Sequence, residues 1–358
     1  MRAFGCAVCG NLLVVENSVC VACGTAQGFS PTVMRLVPVD AGGRAKQCRN
    51  LAALGCNWLV DDGRPDGFCR SCRLTRVRPS ALEVDALAAW ATTEAAKRRL
   101  VYQLLDVGLP VAPRGDDPRG LAFDLLSSAQ APVVTGHVDG VVTIDLAEGQ
   151  DAHREAIRVQ LAEPYRTVLG HLRHEVGHYY WQVLVAGNGL VAVGGAALQR
   201  FRDVFGDERV DYRQALARHY AQGAPVDWVQ RHVSGYATAH PWEDWAETFA
   251  HYLHIRDTLQ TAAAYGLVVT GPDLPGLAPD LVAVPLQDLP QQQAVTALVE
   301  TWLPLTYALN AVNRSMGKAD LYPFVLSAAA IDKLGVVHTL VLAAAAVTFR
   351  PPDAAGVT

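Results

Sequence analysis

His174-Glu175-Val176-Gly177-His178 stands inside the run Tyr165 to Leu184, whose apolar spacing predicts a helix. Residues four apart share a helical face, so the motif sets two imidazoles one turn apart with a carboxylate beside them. That arrangement suits a zinc ion and the activation of a water on it, which is the chemistry of a metal-dependent hydrolase. Val168, Leu172, Val176, Tyr179 and Val183 recur at spacings of three and four and predict a buried stripe. His174 and His178 then point away from Val176, toward a cleft. Gly177 costs the helix about 1 kcal/mol relative to Ala, so its place in mid-helix predicts a close approach by a substrate or a crossing strand.

A catalytic zinc takes three protein ligands and keeps one position open. The pattern with a third histidine would put Gly and His at positions 181 and 184, where this chain has Trp181 and Leu184. In the other pattern the third ligand is a glutamate on a later helix, and His240 to His251 is the best place for it. Pro241 suits a first helical turn, and Glu243, Asp244 and Glu247 lie near the positive end of the dipole. Trp245, Phe249 and Tyr252 make the apolar face, while Glu243 and Glu247 share the other. One carboxylate can ligate the metal while the next, one turn along, accepts a hydrogen bond from the outer nitrogen of a ligand histidine. These residues alone leave open which acid does which, with Asp244 a remoter third. His171, His240, His251 and His254 are read as supporting or surface residues.

All eight cysteines fall between Cys6 and Cys72. Cys6-x2-Cys9-x10-Cys20-x2-Cys23, with Gly10 and Gly24 directly after the tight pairs, is the knuckle pattern of a zinc ribbon. Glycine there permits the positive φ that turns backbone N–H groups toward the sulfurs. Cys48, Cys56, Cys69 and Cys72 contain one tight pair and predict a second structural zinc. Without an apolar leader after Met1, the thiols are expected in a reducing cytoplasm, as metal ligands and not disulfides.

The elements around these motifs define two domains, a cysteine module over 1–78 and a larger domain over 79–358. With 358 residues, 51% hydrophobic and 18% charged, the chain can bury a large core. The longest apolar run, Leu340 to Val347, is too short to span a bilayer, so no membrane partner is expected. Ala81 to Leu105 predicts a long helix that Ser80 can cap, and Gly108 to Gly120 a surface loop. Val133 to Ile144, β-branched around Asp139-Gly140, predicts a hairpin, and the pattern after Ala152 is helical throughout. The fold class is therefore α+β, mainly helical with a small hairpin or sheet. Net charge is −5, yet between Ala41 and Ser80 eight basic residues stand against three acids. Such a basic module can serve a nucleic acid or an acidic protein, or neutralise its own zinc thiolates.

His174-Glu175-x-x-His178 followed by Glu243-x-x-x-Glu247 is similar to the gluzincin metallopeptidases. Together with Glu-Asp-Trp-Ala-Glu-Thr-Phe-Ala at 243–250 and the N-terminal ribbon, it resembles the bacterial zinc-ribbon metallopeptidases over nearly the whole chain. The resemblance implies a zincin-like domain, one catalytic zinc and one or two structural ones, and a peptide or protein substrate. It implies Glu243 as third ligand, although the second acid here is Glu247 and the two can exchange roles. It implies Glu175 as the base that takes a proton from the metal-activated water and returns it to the leaving amine. Some gluzincins carry a tyrosine seven residues before the ligand glutamate, where its hydroxyl stabilises the oxyanion. Tyr236 has that offset and is either this residue or an ordinary packed tyrosine. The rival reading, from a different class, is a non-enzymatic zinc-binding adaptor that meets nucleic acid or protein through the basic ribbons.

Overall fold

The computed structural model describes residues 2–348 apart from 40–45, 61–64, 81, 130, 161–164, 192–193 and 272–294. Arg44, Asp61, Asp62 and Arg64 of the basic stretch lie outside the described residues, as does Ala81, the expected helix start.

The cysteine module is two small hairpins and a turn-rich tail. β1 (Phe4–Gly5) pairs with β2 (Leu12–Leu13), and β3 (Gln27–Ser30) with β4 (Arg35–Pro38), both antiparallel. A single turn of helix, α1 (Leu51–Leu54), precedes the last cysteines. A 3-10 turn at Cys72–Leu74 then runs straight into β5 (Thr75–Val77).

β5 belongs to the sheet of the larger domain. The strand order is β5, β6 (Ala122–Leu126), β8 (Val141–Asp145), β7 (Gly136–Val138), with β5, β6 and β8 parallel and β7 antiparallel to β8. The expected hairpin is β7–β8. Val138 faces Val141 across a two-residue loop in which Asp139 and Gly140 both have positive φ, 48° and 78°. That is the twist a tight hairpin needs, and Asp-Gly supplies it at little cost. The two further strands extend this hairpin into a four-stranded sheet.

The helices supply the rest. α2 (Val84–Asp106) starts later than the alanine-rich pattern suggests. Ser80 does not cap it. Ser80 Oγ accepts from the Leu82 N–H and the Ser80 N–H donates to Glu83 Oε1, closing a turn ahead of the helix. α3 (Asp151–Gln160) follows the sheet, then α4 (Val168–Trp181), prolonged by a π turn over Gln182–Ala186. α5 (Ala196–Phe205), α6 (Tyr212–Gln222), α7 (Pro241–Ala264), α8 (Val295–Ser315) and α9 (Ala328–Thr348) complete the order. α9 is apolar and, by length and composition alone, long enough to cross a membrane. It nevertheless buries Lys333 and His338 against α7, where they meet Asp244 and Tyr252.

α4 and α7 form the centre. Val168, Leu172, Val176, Tyr179 and Val183 are all buried, as their spacing predicts. What approaches Gly177 is α7, not a substrate or a strand. A Cβ on Gly177 would lie 2.9 Å from the Cα of Ala246, and the Trp245 indole N–H donates to the Gly177 carbonyl at 2.9 Å. The two modules share one core across their covalent joint. The Phe29 ring sits 4.8 Å from Trp58 and 5.4 Å from Tyr102 of α2, and Arg99 reaches Glu16 at 2.7 Å.

Gly177→Ala is expected to destabilise the chain by about 1–3 kcal/mol in denaturant unfolding, because overpacking two backbones outweighs the gain in helix propensity. An unchanged or raised midpoint would show that the two helices are free to move apart.

Candidate metal centre

α4 and α7 each bring their polar face to one point. Thr167 starts α4, its hydroxyl accepting from the Gly170 N–H at 3.0 Å, and this sets the rotation that places His174 and His178 together. His240 starts α7, its Nδ1 accepting from the Trp242 N–H at 3.1 Å, with Pro241 in the first turn. Glu243 and Asp244 follow directly, near the exposed amides of that turn.

His174 Nε2, His178 Nε2 and Glu243 Oε2 form a triangle with edges of 3.1, 3.2 and 3.4 Å. Four ligands at about 2.0–2.1 Å around a zinc ion stand about 3.3–3.4 Å apart, so the triangle has the dimensions of one face of such a site. Glu243 Oε2 is buried and accepts no hydrogen bond, as a carboxylate oxygen meant for a cation would be. Its other oxygen, Oε1, accepts from the Tyr212 hydroxyl at 2.5 Å. Burial works against the ionised Glu243, but the facing His174 and His178 outweigh it and hold the carboxyl well below its ordinary range.

Glu247 is engaged elsewhere. Its Oε1 lies 2.6 Å from His174 Nδ1 and its Oε2 accepts from the Ser234 hydroxyl at 2.6 Å. Burial opposes its charge, yet the His174 ring pulls its carboxyl down to about 2. This is the division of labour that spacing left open: one acid faces the two Nε2 atoms, and the acid one turn on fixes the tautomer and orientation of His174. Asp244 turns to α9 and pairs with Lys333 Nζ at 2.6 Å, while its burial pushes the carboxyl up to about 7.

Glu175 is buried beside the triangle. One oxygen faces His171 Nε2 at 3.2 Å and the other, Oε2, has no hydrogen-bond partner. Desolvation favours its neutral form, but His171 and the two facing histidines hold it below the usual glutamate value. Tyr236, in a 3-10 turn over Tyr236–Thr238, stacks obliquely on His174 with ring centroids 5.9 Å apart. Its burial raises the hydroxyl far above the tyrosine norm, so it stands as a protonated donor. Of the remaining histidines, His240 serves as a cap. His251 meets the Tyr322 hydroxyl at 2.6 Å, and His254 is packed among Tyr165, Trp302 and Tyr322.

Tyr212, Ser234, Glu148 and His137 are brought to the site with no warning from the sequence. His137 of β7 stacks on His178 with planes 8° apart and centroids at 6.4 Å. All four come from segments whose distance from the motif along the chain hides their proximity.

The cysteines gather into two further groups. Cys6 and Cys23 Sγ lie 3.8 Å apart, Cys9 and Cys20 3.6 Å. In the second group Cys56 Sγ is 3.6 Å from Cys69 and 3.7 Å from Cys72, with Cys48 beside them. Bonds of about 2.3 Å to a tetrahedral zinc put sulfurs about 3.8 Å apart, close to these distances. Gly10 and Gly24 have the expected positive φ, 75° and 73°, but their N–H groups bond the carbonyls of Cys6 and Cys20, not the sulfurs. Cys9 and Cys23 are exposed, whereas all four cysteines of the second group are buried.

With this geometry in place, comparison with known proteins is decisive about kinship. Residues 86–340 match the family described as "putative zinc-binding metallo-peptidase". The chain belongs to this family. Residues 3–83 match a zinc-ribbon domain, so the two matches cover both parts of the chain that carry candidate metal ligands. Uncharacterized proteins of Mycobacterium bovis and Mycobacterium tuberculosis are each 49% identical over 344 residues, covering 95% of both chains. No solved structure matches.

Tyr212→Phe leaves a buried carboxylate oxygen without its donor, and thermal unfolding of the metal-free chain is expected to report a loss of about 1.5–3 kcal/mol. No shift in midpoint would place the Tyr212 hydroxyl in water.

Proposed function

We propose that this chain is a zinc-dependent metallopeptidase, gluzincin-like in its ligand set, in which His174, His178 and Glu243 hold the catalytic metal and Glu175 is the general base. The observation that carries the reading is the triangle of three ligand atoms with a buried, half-free glutamate next to it. Zinc held there supplies Lewis acidity, bringing a water's pKa to about 7 and polarising a carbonyl. Glu175 takes the water's proton on Oε2, the oxygen without a partner, and passes it to the departing amine. Glu247 keeps His174 in the tautomer whose Nε2 is a lone pair, since its carboxylate claims the proton on Nδ1. Tyr236 donates its hydroxyl to the oxyanion of the tetrahedral intermediate.

A peptide is the substrate class that suits the surroundings. Among the described residues β7 is an edge strand of the sheet and carries His137 against His178, so the outer side of the strand runs beside the site. An extended peptide can add to such an edge by main-chain hydrogen bonds, which places a backbone carbonyl near the metal without demanding a particular side chain.

Both cysteine groups are assigned one structural zinc each, giving three zinc ions per chain. Their thiolate ligands suit a reducing, cytoplasmic setting. The adaptor reading loses some weight because two arginines of the basic stretch are paired with acids of the chain and two more lie over aromatic rings. Arg73 pairs with Asp66 and Asp116, Arg76 with Asp124, Arg49 lies over the Phe68 ring and Arg78 over Trp90.

Glu175→Gln is expected to keep three zinc ions and lose roughly 10²–10⁴-fold in hydrolysis of a complex peptide mixture, scored by mass spectrometry of new termini. Cleavage at the wild-type rate would sink the assignment. Glu243→Ala is expected to hold two zinc ions, and Glu247→Gln to hold three but with roughly 10–100-fold weaker affinity at one of them. The reverse order would exchange the roles of the two acids.

A further inference from the structure

His171 lies one turn before Glu175 on α4, and its two ring nitrogens face two different carboxylates. Nδ1 is 2.8 Å from Glu148 Oε2, and Nε2 is 3.2 Å from Glu175 Oε1. Glu148 stands in the 3-10 turn Leu146–Gly149 that follows β8 and is buried. Its Oε1 accepts from Arg166 at 3.0 Å. The four side chains therefore form a chain, Arg166 to Glu148 to His171 to Glu175.

A neutral imidazole offers one N–H and one lone pair, so it cannot donate to a carboxylate at each end; an imidazolium can. The charges agree. Arg166 and a charged His171 stand against Glu148 and Glu175 within this chain of side chains. The edge of the His174 ring, with centroids 6.5 Å away, is the other titratable group facing His171. Among the described residues, His171 makes the one side-chain hydrogen bond to the Glu175 carboxylate, whose Oε2 has no partner.

We propose that His171, charged and anchored by Glu148, is a positioning residue that clamps Glu175 through Oε1 and leaves Oε2 as the oxygen that exchanges protons. This rests on the peptidase reading for its consequence, but the clamp itself is independent of it. A packing role alone would need neither a charge on the ring nor an anionic partner behind it.

The test uses the zinc-loaded full chain labelled with ¹⁵N-histidine, with His171→Gln identifying the His171 signals. At pH 7.5 the clamp requires a proton on both nitrogens of His171, and Glu148→Gln, which keeps the shape and removes the charge, should reduce this to one. A single proton in the wild-type ring, or an unchanged ring in Glu148→Gln, overturns the proposal without touching the peptidase reading. In the peptide assay, Glu148→Gln and His171→Gln are expected to lower kcat roughly 10–100-fold while KM and zinc content stay unchanged. Glu148→Asp, retaining the charge, should recover part of the loss. Loss of zinc or a rise in KM alone would assign the pair to structure and overturn the positioning role. If Glu175→Gln itself cleaved normally, the peptidase reading would fail, and the proton count on His171 would still decide the clamp.

Discussion

The close contact of α4 with α7 at Gly177 is the constraint on which the site depends. Two of the three candidate ligands ride on one helix and the third on the other, so the helix separation fixes the edges of the triangle. Any side chain beyond hydrogen at Gly177 would meet the backbone of Ala246. An outward shift of even 1 Å would stretch the contacts from Glu243 to both histidines beyond the span of a zinc tetrahedron. Glycine is accepted here, one residue before His178, at a cost in helix propensity because the short separation cannot be reached otherwise. Trp245 locks the same spot from the other side by donating to the Gly177 carbonyl, a helix group that also serves as an anchor.

Around that contact the polar groups are arranged so that every buried charge meets an opposite one. Glu247 answers His174, His171 answers Glu148 and Glu175, and Lys333 answers Asp244. Arg173, on the same helix as His174 and His178, is buried between Gln103 and Asp257. Buried ion pairs seldom gain net stability over apolar packing, because desolvation offsets their attraction. Their concentration on α4 and α7 is thus better explained by orientation than by stability. Each pair fixes one rotamer, and the buried oxygens without partners include Glu243 Oε2 and Glu175 Oε2, the two that the proposed mechanism gives to the metal and to the proton.

Local spacing made part of this legible. The histidine motif, both cysteine sets, the buried stripe of α4 and the Asp139-Gly140 hairpin follow from periodicity, ligand chemistry and φ preferences, which act within a few residues. The choice between Glu243 and Glu247 was not legible, because both occupy the same helix face and only the position of His174 distinguishes them. Tyr212, Glu148 and Ser234 were invisible for the same reason: a lone polar residue has no pattern, and its role exists only once a distant segment is folded against it. The sheet was half legible. A hairpin declares itself through its turn, whereas the parallel pairing of β5, β6 and β8 is a long-range choice with no local signature.

The parallel pairing also explains why the cysteine module is not a detachable appendage. β5 leaves Cys72 within three residues and becomes an edge of the sheet that carries β7 at its opposite edge. Beneath it, Lys97 and Glu94 of α2 form a fully buried pair at 2.8 Å, and Lys97 also bonds the Thr75 hydroxyl at the start of the strand. The buried cysteine group, the first strand and the first long helix are thereby tied to one another. Metal binding free energy in such a closed site is folding free energy. Filling the second cysteine site therefore stabilises the very sheet whose far edge, through His137, borders His178. The first group, with Cys9 and Cys23 open to solvent, is one hairpin further out and meets α2 through the ring contacts of Phe29 with Trp58 and Tyr102 and through Glu16 with Arg99.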